Sequence, residues 1–343
     1  MKVLIASTIV PFIEGGGTFI VDWLESMLRE YGHEVDVLRI PFLSAYRGMP
    51  SQMLALRLMD IAQHGDRLIT IRTPSYLLRH PNKVLWFIHH HRGAYDLWGT
   101  PYQDIPDTPE GNACRRSIVM SDQLAFSEAR RIYTNSAVVA KRLEQYNDVK
   151  AEVMYPPVFR PERYRCDDFG DYILYVSRIT GHKRQRLAIE ALKYTTTPVK
   201  LMLAGKPEDP ACMREIEGAM NGIRDRVILR SDWISEEEKV ELFANCLAGI
   251  YIPFDEDSYG YPSLEAHHAG KCVITTTDAG GTKELIVHGE NGFLVDPDPK
   301  ELAECMDQLY LDRKLARKMG AAGADRIKAL GISWDSVVER LLA

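Results

Sequence analysis

Short runs of branched apolar residues alternate with helical segments along almost the whole chain, and this alternation limits the folds available to it. The first half has five such runs, at residues 2–7, 34–39, 67–71, 83–88 and 131–134. The second half has five more, at residues 172–177, 199–204, 227–229, 249–252 and 272–276. Strand–helix–strand units of this kind build parallel sheets with helices on both faces. The sequence therefore predicts an α/β protein with two Rossmann-like, doubly wound parallel sheets.

The chain has 343 residues, which at about 100–200 residues per domain favours two domains. Residues 155–161 contain three prolines and residues 166–170 are polar, so a linker is predicted here. We expect an N-terminal domain of residues 1–160 and a C-terminal domain of residues 161–343. The final helix, at about 332–343, is a candidate to return and pack on the N-terminal domain. Ligands of doubly wound sheets bind beyond the carboxyl ends of the strands, so the site is expected in a cleft between the domains.

Composition disfavours several classes of protein. The net charge of −6 argues against a general nucleic-acid binder, whose phosphate contacts need a basic face. The six cysteines have neither zinc-knuckle nor CxxC spacing, so buried, reduced thiols are expected. The sequence shows neither a signal peptide nor an apolar run of about 20 residues. We expect a cytoplasmic protein, with peripheral contact at the inner face of a membrane left open.

Three consecutive glycines, residues 15–17, lie between the first strand and the first helix. Glycine lets a backbone approach a ligand, and the following helix N-terminus favours an anion. The segment is not GxGxxG, and Arg39 stands where a dinucleotide-binding strand would end in an acid, which disfavours a nicotinamide dehydrogenase. A flexible surface loop explains the three glycines equally well.

Two cations, Arg178 and Lys183, follow the first strand of the second domain. Arginine offers a planar fork of donors and lysine a compact point charge, a pairing suited to a diphosphate. The alternative is a solvated basic loop, but the position beyond a strand end favours a binding site.

A second candidate segment follows the strand at residues 249–252, where an acidic loop of residues 255–257 leads to Gly260 and a helix start. Free N–H groups around Gly260 and Ser263 are expected to form an anion-binding helix end. Glu265 lies about one turn inside the helix, where its carboxylate can accept hydrogen bonds from ribose or sugar hydroxyls. The alternative is that the acidic residues only stabilise the helix dipole. This would account for residues 255–257 but not for Glu265.

These segments resemble the retaining glycosyltransferases of family 4, which have the two-domain GT-B fold. That family carries an Arg…Lys pair and an E-x-F-G-x-x-x-x-E-A motif in its second domain, and Arg178, Lys183 and residues 257–266 match them here. Residues 134–136, 155–158, 279–286 and 289–295 also look like the family, so the resemblance covers nearly the whole chain. It implies a GT-B protein whose two domains face a central cleft.

The resemblance implies a role for each matching residue. Arg178 and Lys183 would bind the donor diphosphate in place of the metal ion that other transferases use. Glu265 would bind the ribose, and Asp257 would contact the transferred sugar. Sugar and phosphate would also be held by the segment of Gly260, Tyr261, Pro262 and Ser263. The remaining donor contacts would come from Gly16 and Gly17 of the first domain and from loops beside the base, at Gly205, Lys206, Trp233 and Ile234. Neither a cofactor nor a metal ion is implied.

Two of these assignments have alternatives. Asp257 is one methylene shorter than the family's glutamate, so Glu256 is the alternative sugar contact. The family places a histidine after a first-domain strand near the transferred sugar; His89 aligns best and His91 is the alternative. Consecutive strand residues alternate faces, so the three histidines at residues 89–91 do not suggest a zinc site.

The expected function is metal-independent, retaining transfer of a hexose from a UDP-, GDP- or other nucleotide sugar to a hydroxyl of a glycan or lipid-linked glycan, in polysaccharide or glycoconjugate biosynthesis. The leaving phosphate would take the acceptor proton on the same face, so the paired carboxylates of a glycosidase are not expected. Three alternatives stay open. They are a metal-dependent transferase that uses residues 255–257 as a DxD site, a nucleotide-sugar-binding protein without transfer activity, and a GT-B nucleotide-sugar epimerase.

Overall fold

The computed structural model describes residues 1–9, 16–100 and 102–343. Contacts divide the chain into two compact units. The N-terminal unit is Met1–Pro156 together with Ser333–Ala343, and the C-terminal unit is Pro157–Ile332. The division falls inside the proline-rich segment of residues 155–161, a few residues before the predicted boundary between residues 160 and 161.

The N-terminal unit is built on a six-stranded parallel sheet. Its strands are β1 (Lys2–Ile9), β2 (Glu34–Pro41), β3 (Arg67–Thr70), β4 (Lys83–Phe87), β5 (Arg131–Thr134) and β6 (Glu152–Val153), in the order β2-β1-β3-β4-β5-β6. The helices between them are α1 (Gly16–Glu30), α2 (Met49–Leu58), α3 (Pro109–Ser127) and α4 (Ala137–Asn147). Leu4 and Ala6 of β1 enter one apolar cluster, whereas Val3 and Ile5 enter another. Both faces of this sheet are therefore covered, as its apolar strands predict.

The C-terminal unit has a second six-stranded parallel sheet. Its strands are β7 (Tyr172–Val176), β8 (Lys200–Ala204), β9 (Val227–Arg230), β10 (Ala248–Ile250), β11 (Val273–Thr276) and β12 (Gly292–Val295), in the order β12-β11-β10-β7-β8-β9. Its helices are α5 (Gln185–Leu192), α6 (Pro210–Ala219), α7 (Glu236–Asn245), α8 (Tyr261–His268), α9 (Pro299–Leu311) and α10 (Arg313–Ala329). Because β7 pairs with both β8 and β10, the strand order reverses at β7. The loops after these three strands therefore meet at a topological switch point, where ligands of such sheets bind.

The last helix, α11 (Trp334–Leu342), packs on the N-terminal unit. Its apolar face joins the cluster on one side of the first sheet. Arg67, at the start of β3, is buried, and its guanidinium donates hydrogen bonds of 2.8, 3.0 and 3.2 Å to the carbonyl oxygens of Leu341, Leu342 and Ala343. The end of the chain is thus part of the N-terminal unit.

Three elements lie outside those predicted from the sequence, namely α2, β6 and β12. Helix α2 has Gly48 at its N-cap position, which provides no side-chain cap, and Pro50 in its first turn, so it lacks the usual start signal apart from the proline. Strand β6 has only two residues, and β12 begins with Gly292, a poor strand former. The two strands are short, and pairing with a neighbouring strand rather than local preference forms them.

Two further findings concern the expectations from composition. None of the helices in residues 1–9, 16–100 and 102–343 combines the length and hydropathy needed to cross a membrane. Four of the six cysteines are buried as free thiols, at Cys114, Cys246, Cys272 and Cys305. Burial raises the pKa of the Cys246 and Cys272 thiols to about 12, so both stay protonated and act as small apolar side chains.

Candidate functional site

The loops that follow β7 and β8 lie side by side at the carboxyl edge of the second sheet. The amide of Ile179 donates a 3.0 Å hydrogen bond to the carbonyl oxygen of Lys206. Gly205 permits this approach, because a β-carbon at that position would overlap the carbonyl oxygen of Ser177. Arg178 is exposed at the same edge. The structure thus brings together three predicted site residues, Arg178, Gly205 and Lys206.

Lys183 lies in the turn between β7 and α5 and reaches the acidic loop after β10. Its ammonium donates a 2.7 Å hydrogen bond to the Tyr251 hydroxyl and contacts the Glu256 carboxylate. Only 13% of the Lys183 side chain is exposed. Burial acts to raise the pKa of Glu256, but the charges of Lys183 and His182 and the hydrogen bonds that the carboxylate accepts outweigh it and hold the pKa below its usual value. Glu256 is therefore an ionised partner of Lys183.

The acidic loop packs against Gly280 and Gly281, which follow β11. Gly280 has a φ of 63°, and a β-carbon there would overlap the backbone of Glu256. The Gly281 amide donates a 2.7 Å hydrogen bond to the carbonyl oxygen of Glu256. Asp257 is half-buried in the same bend, directly after the residue that binds Lys183. The two glycines are thus needed for the loop to lie this close to the segment after β11.

Arg184, which is not among the predicted site residues, ties the ends of three strands together. Its guanidinium donates hydrogen bonds of 2.8 and 2.7 Å to the carbonyl oxygens of Ile252 and Pro253, and two of 2.7 Å to the Asp278 carboxylate. The loops after β7, β10 and β11 are therefore linked next to Lys183. The sequence shows Arg184 only as a further cation beside Lys183. The carboxylate partner of Arg184, Asp278, is 94 residues away along the chain.

We expect Arg184→Gly to lower the free energy of unfolding by about 2–4 kcal/mol, since charge-assisted hydrogen bonds contribute about 1.5–3 kcal/mol each and are not additive. Glycine adopts the left-handed backbone of Arg184, whose φ is 55°, without strain. The loss of stability therefore measures the contribution of the guanidinium. Urea denaturation of the full chain measures it. Arg160→Gly, at a φ of 50°, shows what glycine itself contributes at such a position. Equal free energies of unfolding for the two variants would contradict this stabilising role of the Arg184 guanidinium.

Helix α8 begins at the predicted anion-binding segment, but fewer amides are free there than predicted. The Gly260 amide donates a 3.3 Å hydrogen bond to Ser258 Oγ, and the Ser263 amide donates one of 3.1 Å to the Gly260 carbonyl oxygen. Pro262 has no N–H group to offer. Ser263 is buried, and its hydroxyl has no hydrogen-bond partner in the described part of the chain. The polar group that the helix start leaves unsatisfied is thus the Ser263 hydroxyl.

Glu265 forms a buried ion pair with Lys239 of α7. Only 2% of the Glu265 side chain is exposed, and its Oε1 lies 2.6 Å from the Lys239 ammonium. Lys239 also donates a 2.8 Å hydrogen bond to Glu236. Burial acts to lower the pKa of Lys239, but the two carboxylates outweigh it and raise that pKa. Sequence reasoning misses Lys239, because its spacing from Glu236 indicates only a surface pair on one helix.

Trp233 and Ile234 lie at the same sheet edge, in the loop between β9 and α7. Trp233 is exposed and Ile234 is half-buried. Ser235 and Glu238 form a capping box directly after them, which starts α7. The Gly205 amide donates a 2.9 Å hydrogen bond to the last residue of β9, so the two loops predicted to flank a base are neighbours.

The glycines predicted to approach a donor from the first domain lie at the start of α1. Gly16 and Gly17 are its first two residues, and Gly15 lies outside the described residues. The predicted glycine loop is therefore at least partly the first turn of a helix that follows β1. The helix is long enough, at 15 residues, to carry a full dipole.

The three histidines after β4 have three different partners. His89 is half-buried, and its Nδ1 lies 2.6 Å from the carbonyl oxygen of His90. The His90 ring is buried, lies 2.8 Å from the amide oxygen of Asn147, and has its pKa lowered to about 4 by burial. His91 lies 3.3 Å from the Asp104 carboxylate. Within residues 1–9, 16–100 and 102–343, no group of three or more His, Cys, Asp or Glu side chains is arranged to hold a metal ion.

Residues 162–326 match the family model described as "Glycosyl transferases group 1". The alpha-1,3/1,6-mannosyltransferase ALG2 of Dictyostelium discoideum is 37% identical over 126 residues, which are 35% of this chain and 29% of that protein. The alpha-maltose-1-phosphate synthase of Mycolicibacterium smegmatis is 26% identical over 215 residues, which are 57% of this chain and 54% of that protein. The chain thus spans less than a third of the ALG2 protein that it matches.

Solved structures of low sequence identity share the fold. The sucrose-phosphate synthase of Thermosynechococcus elongatus has a TM-score of 0.77 at 18% identity, over 98% of this chain and 97% of that one. The Anabaena HepE protein in complex with UDP has a TM-score of 0.72 at 18% identity, over 99% of both chains. This likeness confirms the predicted GT-B fold. The family match over the second sheet and its loops identifies residues 162–326 of this chain as a domain of the group 1 glycosyltransferase family.

Proposed function

We propose that the chain is a retaining, metal-independent glycosyltransferase that moves a hexose from a nucleotide diphosphate sugar to a hydroxyl of a glycan or lipid-linked glycan. The observation that carries this proposal is the shielded ammonium of Lys183, which lies at a strand end of a group 1 domain with Arg178 on the same loop. The HepE protein, which shares the fold, has been solved with UDP and with UDP-glucose. A donor diphosphate has the charge that these two cations would bind.

Both cations act on the charge that the reaction creates. Breaking the bond between the sugar and the phosphate leaves negative charge on the diphosphate. A lysine ammonium has three N–H donors; two of those on Lys183 are directed at Tyr251 and Glu256, which leaves one for a phosphate oxygen. The exposed guanidinium of Arg178 can bind the same group through two donors. Preorganised cations stabilise the leaving group without a metal ion, and the leaving phosphate accepts the acceptor proton on the same face.

The nucleoside is assigned to the neighbouring groups at this edge. The Glu265 carboxylate binds the Lys239 ammonium through Oε1 and also interacts with the Tyr164 hydroxyl. Its remaining lone pairs would accept hydrogen bonds from ribose hydroxyls. The loops of Gly205 and Lys206, and of Trp233 and Ile234, would flank the base. The segment of Gly260, Tyr261, Pro262 and Ser263 would complete the contacts, since the Ser263 hydroxyl has no hydrogen-bond partner among the described residues.

The transferred sugar is assigned to Asp257 rather than to Glu256. The Glu256 carboxylate is already committed to the diphosphate-binding cation: its Oε2 contacts the Lys183 ammonium and accepts a 3.3 Å hydrogen bond from the Tyr251 hydroxyl. The N-terminal unit would bind the acceptor, with His89 and the α1 start at Gly16 and Gly17 nearest the transferred sugar. No cofactor is needed. We place the protein in the cytoplasm, with peripheral membrane contact when the acceptor is lipid-linked.

The proposed function is tested by finding the donor and then following its fate. A thermal-shift screen of nucleotide sugars is expected to find at least one that stabilises the protein, because a ligand of the folded state raises its melting temperature. Release of the nucleoside diphosphate that increases with a glycan acceptor supports transfer. Binding without release indicates a binding protein, and conversion of the donor sugar with no release indicates an epimerase; both outcomes contradict the proposal.

Asp257→Asn is expected to reduce transfer by about 10-fold or more while leaving the affinity for the free nucleoside diphosphate unchanged, since only the sugar contact is weakened. Chelation by EDTA is expected to leave wild-type activity intact. Asp255→Asn is the matched control, because Asp255 belongs to the alternative DxD site but has no assigned sugar contact. If both variants lose nucleotide affinity and EDTA abolishes activity, the acidic loop holds a cation and the metal-free proposal is wrong.

A further inference from the structure

Arg72 lies at the carboxyl edge of the first sheet, two residues beyond the end of β3. Strand β3 is flanked by β1 and β4, so this position is near the middle of the edge. The side chain is half-buried, and burial lowers the pKa of its guanidinium. Among the described residues, nothing accepts a hydrogen bond from that guanidinium or pairs with it. Within residues 1–9, 16–100 and 102–343, Arg72 is thus a partly desolvated cation without a counter-charge.

The opposite end of the same strand shows how the fold treats a desolvated arginine when the residue is structural. Arg67 is buried, and burial lowers the pKa of its guanidinium as well. Its guanidinium donates hydrogen bonds to three carbonyl oxygens at the end of the chain. An arginine remains charged in proteins, so burying it without acceptors is costly. The contrast indicates that an external group supplies the acceptors for Arg72.

A second unsatisfied group lies at the same edge. Asn135 follows β5, only 6% of it is exposed, and its amide oxygen has no hydrogen-bond partner among the described residues. Its backbone amide donates a 3.3 Å hydrogen bond to the carbonyl oxygen of Phe87, the last residue of β4. The register pairs Thr70 with Leu85 and Phe87 with Thr134. Arg72 and Asn135 therefore follow the two strands that flank β4, two residues beyond the end of β3 and one beyond the end of β5.

Three segments at this part of the edge have no acidic residue of their own, and the carboxylates beside them, Asp96 and Asp104, are paired with Arg92 and His91. Residues 71–75, 88–92 and 135–137 contain two arginines and three histidines but neither aspartate nor glutamate. One of the arginines, Arg92, is paired with Asp96 at 2.6 Å. A ligand that fits here offers an anionic group to Arg72 and a hydroxyl to the amide oxygen of Asn135.

We propose that Arg72 binds a phosphate or carboxylate group of the acceptor, and that Asn135 accepts a hydrogen bond from an acceptor hydroxyl. The acceptor is then a polyhydroxy molecule with a negative charge, such as a sugar phosphate, a uronic acid or a phosphate-linked glycan. This inference rests on the proposed function, in which the N-terminal unit binds the acceptor. It adds a charge requirement that the family match does not contain.

The test uses the full-length protein, saturated with whichever nucleoside diphosphate stabilises it most, so that the cations of the C-terminal unit are occupied. Thermal denaturation is measured with inorganic phosphate, glucose 6-phosphate, glucuronate or glucose at constant ionic strength. We expect an anionic probe to stabilise the wild type, and glucose to have no effect. Arg72→Gln should weaken that binding by about tenfold or more, and Arg72→Lys should retain part of it. Arg79→Gln, an exposed arginine with the same change in charge, should behave as the wild type.

Two further readouts distinguish an acceptor site from nonspecific anion binding and from a structural role of Arg72. Without any anion, Arg72→Gln should be at least as stable as the wild type, because a desolvated and unpaired charge has been removed. Asn135→Ala should weaken the binding of glucose 6-phosphate but not the binding of inorganic phosphate. Equal binding of these two probes, with no effect of Asn135→Ala, would mean an adventitious ion only and would overturn the acceptor assignment.

The remaining outcomes also decide. The inference is overturned if no anion stabilises the wild type, or if Arg72→Gln responds to anions as the wild type does. It is also overturned if Arg72→Gln is less stable than the wild type or fails to fold. Weaker binding of the nucleoside diphosphate by Arg72→Gln would mean that the anionic group belongs to the donor. If no nucleotide binds the wild type but the anion effect of Arg72 persists, the proposed function fails while the anion site stands.

Discussion

Lys183→Met is expected to lower kcat/KM for sugar transfer by about 10²–10³-fold or more, the range observed when one preorganised group is removed from an electrostatic site. The ammonium is largely shielded from solvent, so the lost charge is not replaced by bulk water at full strength. Methionine keeps much of the apolar stem. Glu256 also keeps the hydrogen bond from the Tyr251 hydroxyl, so the fold should persist. Steady-state kinetics with the donor found by the screen, and circular dichroism of the variant, measure the two effects.

The control for Lys183→Met is Lys193→Met, which removes the same charge from an exposed position just after α5. It should leave transfer unchanged. Arg178→Met should also impair transfer, but by a smaller factor than Lys183→Met, because Arg178 is exposed and its guanidinium lies 3.4 Å from the competing Glu208 carboxylate. Wild-type turnover in both site variants would refute the assignment of the diphosphate to this loop.

Glu265→Gln is expected to weaken the affinity for the free nucleoside diphosphate by about 10–100-fold, since hydrogen bonds to a charged acceptor contribute about 1.5–3 kcal/mol. The carboxylate is buried beside Lys239, so no water can take its place easily. Calorimetry with the diphosphate alone measures the change without any need for an acceptor. Unchanged affinity would mean that the Lys239–Glu265 pair is only structural.

A double-mutant cycle shows whether Lys239 acts through Glu265. Lys239→Met leaves a buried carboxylate without its ammonium and should weaken nucleotide binding as well. The double variant, Lys239→Met with Glu265→Gln, should bind about as well as Glu265→Gln alone, because Lys239 then has no carboxylate of Glu265 to hold. Additive losses would show that the two residues act independently and would contradict the pairing as a functional unit.

Much of the fold follows from local patterns in the chain. Branched apolar runs such as residues 172–177 form strands because both faces of a parallel sheet are covered, and ten of the twelve strands in the described part of the chain follow this pattern. Strand ends were therefore predictable, and so was the edge at which Arg178, Lys183 and the acidic loop lie. The roles of these residues stay predictions until the variants are measured. The elements that escape the pattern, such as β12, are short and depend on pairing with a neighbour.

The free amides expected at the start of α8 show the limit of this reasoning. A helix start in the sequence implies unpaired N–H groups, but the Gly260 and Ser263 amides find acceptors within a few residues. Which N–H groups stay free depends on backbone angles, and these are set by the packing of the loop against Gly280 and Gly281. No spacing rule contains that information.

The sequence alone determines the α/β class, the two sheets and the residues that stand at the strand ends, because hydrophobic periodicity and strand–helix alternation are local properties. Tertiary structure decides which charges meet. Lys239 pairs with Glu265 across two helices, Arg184 pairs with Asp278 across 94 residues, and Arg72 is left without a partner in the described chain. Coulomb energies and hydrogen bonds depend on distances in space and on burial, and neither can be read from separation along the chain.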